Sequence, residues 1–206
     1  MMSPRIAHLL AHIEMLENEL ADELEKGLIL RGFSLKGKII AFERDVIDRH
    51  RTLRLGLVRY MTKSHLLTYL TAPVIYSLLA PLVFVDIWIS LYQSICFRAY
   101  GIPQVRRREY IVFDRHHLAY LNWIEVLNCS YCDYANGVIA YVREIGSRTE
   151  QYWCPIKHAL RIRDPHERYL KFLEYGDAVG YRARHESFRD KLRSVGPAGQ
   201  KPSPTE

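Results

Sequence analysis

The sequence predicts an all-α, membrane-attached helical protein, with a hydrophobic hairpin or single span and a cytoplasmic Cys/His helical module. Three observations lead there. Leu66–Cys96 is a run whose only ionisable side chain, apart from its tyrosines and the terminal thiol, is Asp86. Elsewhere apolar residues recur at gaps of three and four, the helical period, and no sizeable strand system is visible. Three of the four cysteines fall within residues 129–154. The charged fraction of 25% and apolar fraction of 49% are those of an ordinary folded chain.

The first segment, residues 1–31, reads as an acidic amphipathic helix. Ser3 is placed to cap it and Pro4 to stand in its first turn. Ile6, Leu9, Ile13, Leu16 and Leu20 form a heptad seam that continues less regularly through Leu24 and Leu28. Such a coiled-coil stripe needs a partner, so residues 6–28 are expected to bind another protein or a second copy. His8 and His12, at i and i+4, read as a solvated flank of the seam. Six acids against three bases give this segment a charge of −3. The acids, and the absence of a small-residue cleavage site, do not suit a signal peptide, so both termini are expected to be cytoplasmic.

Residues 36–63 read as a basic amphipathic interfacial helix, with Ile39, Phe42, Val46, Leu53 and Leu57 on one face. Eight bases against three acids give it +5, within a net charge of +6 for the chain. This basic stretch directly precedes the most apolar run. That placement points to anionic lipid rather than nucleic acid as the partner. Arg54, Arg59 and Lys63 before the run, and Arg106, Arg107 and Arg108 after it, are the expected membrane-surface residues.

Residues 66–97 form the membrane segment. A continuous helix over Leu66–Cys96 would extend ~46 Å, well beyond the ~30 Å hydrocarbon core. Equal positive flanks do not suit one crossing of a bacterial-type inner membrane. A re-entrant hairpin turning near Ala80-Pro81, with both ends cytoplasmic, fits the charges better, although each arm is short; a single tilted span is the alternative. Asp86 is costly at such depth unless it is paired. It reads either as a proton or cation relay, or as a carboxylate bonded to a nearby tyrosine or backbone group.

Residues 106–193 make up the Cys/His module, and 194–206, rich in Pro and Gly, read as a disordered tail. Asp114 is expected to cap a helix over Arg115–Cys132, and a second helix is expected from Val138 to Tyr152. Asp164-Pro165-His166-Glu167 looks like a further helix start. Cys129 and Cys132 form a C-x2-C pair, and Cys154 and His158 a C-x3-H pair. Together they would make a closed Cys3His zinc site, which is structural because no coordination position stays open. Such a site requires the intervening helix to break near Gly146-Ser147. Without that break, an antiparallel hairpin would return Cys154 and His158 beside His116 and His117, with Glu125 a further ligand. Iron held by histidine and carboxylate, an iron–sulfur cluster, and no ion at all remain open alternatives.

No nucleophile elbow, phosphate loop or dinucleotide motif is present, and no catalytic residue stands out. The expected role is therefore non-enzymatic: a membrane-tethered adaptor or assembly subunit with a structural metal site. The alternative is a membrane-bound metalloenzyme or redox protein using the same Cys, His and Glu side chains.

Overall fold

The structure is a computed structural model that describes residues 4–30, 33–36, 39–42, 44–56, 59, 61, 62 and 65–194. The expected Ser3 cap, Lys63 and the expected tail beyond Ser194 lie outside the described residues. The protein is predominantly helical. By its internal contacts the chain falls into two compact units. One draws on the residues up to His65 together with Asp114–Ser130, and the other on Leu66–Phe113 together with Tyr131 onward.

In the first unit, α1 spans Pro4–Leu30, 27 residues at the predicted spacing. The expectation of one basic helix across 36–63 is corrected. Phe33–Lys36 (β1) and Ile39–Phe42 (β2) pair antiparallel, with Phe33 opposite Phe42 and Lys36 opposite Ile39. The β-branched pair Ile39-Ile40 favours extended backbone. Two residues separate the strands, and Gly at the first of them is a hairpin signal. Helix resumes at α2, Arg44–Thr52, where Arg49, His50 and Arg51 sit in the last turn among outward-pointing carbonyls.

The second unit is built on the apolar segment. Leu66–Ser77 (α3) and Leu79–Tyr92 (α4) are joined by a single turn at Leu78, and a π turn over Gln93–Phe97 leads into Arg98–Tyr100. Leu67–Tyr100 therefore acts as one 34-residue helix, long and apolar enough to cross a membrane by length and composition. The expected hairpin near Ala80-Pro81 does not form. Pro81 lacks the N–H that Ser77 would need, which costs one helical bond and produces only a local turn. The Leu78 N–H donates to Ile75 O at 3.3 Å, and the Leu82 N–H to Leu78 O at 3.2 Å, so the helix resumes at once. Gly101, at φ 68°, ends it.

Trp123–Trp153 form α5, 31 residues without a break, and Ala178–Ser194 form α6. The expected interruptions after Cys132 and at Gly146-Ser147 are both absent. Ser147 Oγ donates to Glu144 O at 2.8 Å, a bond made inside the helix. The expected helix start at Asp164 is also corrected. Asp164 sits at φ 48°, and a short 3-10 turn, Glu167–Lys171, is capped by His166 instead. Phe97, Ile102, Val105, Tyr141, Ile145, Tyr152 and Leu192 form the buried core, joining the end of the apolar helix to α5 and α6.

Candidate functional site

The predicted metal ligands are not gathered. Cys129 and Cys132 lie one turn apart on α5, and Cys154 follows the helix end. Cys132 and Cys154 are 22 positions apart, which the unbroken helix converts into ~33 Å. One ion cannot bridge that distance, so the four-ligand zinc site is corrected. The alternative with His116 and His117 rested on a hairpin after Cys132, where α5 is continuous. These two histidines lie on a separate short turn, Arg115–His117, with ring centroids 3.9 Å apart.

Other roles occupy several of these side chains. Glu125 Oε2 accepts the Asn122 N–H at 2.8 Å, and Asn122 Oδ1 accepts the N–H groups of Ile124 and Glu125 at 3.0 Å. That is a capping box, and it starts α5. The Tyr169 hydroxyl donates toward His158 Nδ1 or accepts from it at 3.2 Å, and it also accepts the His158 N–H at 2.7 Å. Burial, followed by the neighbouring Glu150 carboxylate, pushes the Cys154 thiol above its ordinary pKa, which disfavours the thiolate that a metal needs. Among the described residues no group of three or more His, Cys, Asp or Glu side chains is placed to hold a metal ion. The residues present do not fit the zinc site read from spacing.

Asp86 has the more informative surroundings. It is buried, and Arg107 closes on it with Nε at 2.9 and 3.1 Å from the two carboxylate oxygens and Nη2 at 2.6 Å from Oδ2. The Tyr134 hydroxyl donates to Oδ2 at 2.9 Å. Both oxygens are engaged, so the buried carboxylate is paired. Arg107, expected at the membrane surface, is therefore spent on Asp86. Arg106 reaches Glu109 at 3.6 Å, while Arg54, Arg59 and Arg108 are exposed.

Further contacts continue the same seam. Tyr131 donates to Ile75 O at 2.9 Å and meets Tyr76 edge to face at 5.5 Å. Ser90 Oγ lies 3.3 Å from the Tyr141 hydroxyl, and Tyr92 Oη lies 3.1 Å from Thr149 Oγ1. Gln93 exchanges both amide groups with the backbone of Val105, at 3.2 and 3.0 Å, and Nε2 also donates to Tyr141. Residue numbers rise together in these contacts, so α5 from Tyr131 onward runs in the same direction as the apolar helix. The protected positions, Ala72, Tyr76, Leu82, Asp86, Ile89, Gln93 and Phe97, recur at helical spacing. The opposite face is open: Leu67, Leu70, Val74, Leu78, Phe84, Ile87, Trp88 and Ile95 are each more than half exposed.

Comparison with protein-family models, with curated proteins and with solved structures finds no match to this chain. Function must be argued from these surfaces alone.

Two arrangements escaped the sequence reading. Glu144 is shared by two guanidiniums, Arg148 Nε at 2.7 Å and Arg168 Nη2 at 2.7 Å, and Arg148 Nη1 also donates to Pro103 O at 2.7 Å. The Glu144–Arg148 half is an i, i+4 pair and is visible as such in the sequence. An open cavity of about 860 Å³ lies along residues 157–165, with His158, Arg161, Arg163 and Tyr169 in its walls. Arg143 holds its edge through Asp164, with Nη2 donating to Asp164 O at 2.8 Å.

Proposed function

We propose that this chain is a membrane-tethered adaptor or assembly subunit, attached through the apolar helix and recruiting a protein helix to α1. The observation that carries this reading is the α1 stripe. Leu9, Ile13, Leu16, Leu20 and Leu24 are 51%, 49%, 47%, 61% and 62% exposed along one helix face. An isolated helix is marginal in water, and an amphipathic one draws most of its stability from covering its apolar face. A second helix, from a partner protein or another copy, supplies that cover.

A photo-crosslinking residue at Leu16, on the stripe, and another at Asn18, on the far side, test the reading in intact cells. A discrete protein adduct from Leu16 and none from Asn18 is expected, and its mass separates a second copy from another protein. Equal adducts from both positions, or none from Leu16, contradict the proposal.

A further inference from the structure

The manner of attachment follows from what lies beside the apolar helix. We infer that Leu66–Tyr100 lies along the membrane surface instead of crossing it, with its open face in the lipid and Asp86, Gln93 and Phe97 turned toward α5 and the loop before it. This deepens the tethering reading above and rests on it.

A crossing helix must tolerate hydrocarbon around its middle, and this one has protein there. Tyr131 is bonded to Ile75, so the turn of α5 that carries Asp133 and Asn136 runs beside the first half of the segment. Arg107 and Tyr134 sit at the level of Asp86, and Thr149 at the level of Tyr92. Arg107 remains 47% exposed at the side chain. Drawing this helix through a bilayer would draw those groups in with it, and a charged side chain near the centre is costly. A shorter span ending at Asp86 fails for the same reason, because Ile75 would lie in its middle.

The open face is an apolar stripe that suits lipid. It is made of Leu, Val, Ile and Phe with Trp88 among them, and the opposite side carries the buried Asp86, Gln93 and Phe97. Cations flank it. Arg98 and Arg108 are exposed, and neither has an ion-pair partner among the described residues, which suits anionic headgroups. A lipid surface, rather than a second copy, is the occupant that uses both the stripe and these charges. With both ends of the helix at one surface, the equal basic flanks follow without a hairpin.

Spin labels placed singly at Leu70, Val74, Phe84, Trp88, Leu91 and Ile95 test this, in the full chain reconstituted into bilayers of phosphatidylcholine and phosphatidylglycerol. Oxygen and a water-soluble nickel chelate report the depth of each label. The expected profile is flat, with every label in the shallow acyl region, and a label at Ile89 is protected from both quenchers. A profile that passes through the bilayer centre and returns to headgroup depth at the far end overturns the inference while leaving tethering intact. Labels that stay in water throughout overturn tethering itself. Labels shielded by protein on the open face as fully as Ile89 show an occupant other than lipid and also overturn the inference.

Discussion

Asp86 and Arg107 show how one residue's surroundings decide its role. A carboxylate in an apolar run is costly unless it is paired, and here Arg107 and Tyr134 bond both of its oxygens. Arg107→Ala would leave the buried carboxylate with Tyr134 alone. The expected loss is about 1–3 kcal/mol, toward the lower end because the guanidinium is half exposed and water screens it. Asp86→Leu combined with Arg107→Leu should recover most of that loss, since removing both charges leaves neither one stranded. Thermal unfolding in neutral detergent measures both variants, and a double variant as unstable as the single one contradicts the account. The tyrosine partner was legible in the sequence as a class of residue. Arg107 was not, because it stands 21 residues away across a loop whose path depends on Gly101, Gln93 and Val105, and periodicity carries no information about such a closure.

At the scale of elements, α5 is where expectation and structure part most clearly. Asn-Gly and Gly-Ser are turn signals, yet both lie inside one helix because its packing overrides local preference. Gly137 is needed there: a Cβ at this position would come within 2.7 Å of Tyr110 O and 2.9 Å of Ile111 Cα. Gly146 has nothing within 4 Å of the same added atom. Gly137→Ala should therefore destabilise by about 1–3 kcal/mol, as the helix and the loop are forced apart. Gly146→Ala should stabilise by about 0.5–1 kcal/mol, because alanine suits a continuous helix. Chemical unfolding of both variants tests this, and a destabilising Gly146→Ala would restore the break that the shared zinc site requires. The true start of α5 was readable, since Asn122 and Glu125 have capping-box spacing, but Asp114 offered a competing cap eight residues earlier. The α1 helix was fully legible because its stripe is long and regular. The β1–β2 hairpin was not, because four-residue strands are too short for a period of two to stand out against the surrounding charges.

For the whole molecule, composition was informative about the membrane-directed segment and silent about its geometry. Hydropathy makes Leu67–Tyr100 long and apolar enough to cross a membrane, and equal basic flanks argue for both ends on one side. Neither says that α5 lies along the helix. That arrangement comes from tyrosines at positions 131, 134 and 141 reaching side chains and a carbonyl of the apolar helix, contacts formed only once the intervening loop has turned back. The proposal that follows is a chain whose apolar helix meets lipid on its open face, with α5 bonded to Asp86, Gln93 and Tyr92 on the other. The sidedness of the two helix ends tests this most directly. Thr62→Cys and Arg108→Cys, each in a chain whose four native cysteines are replaced by alanine, would be challenged with a membrane-impermeant maleimide on sealed vesicles of known orientation. The account predicts that both positions label from the cytoplasmic side alone. Labelling of the two positions from opposite sides would contradict it.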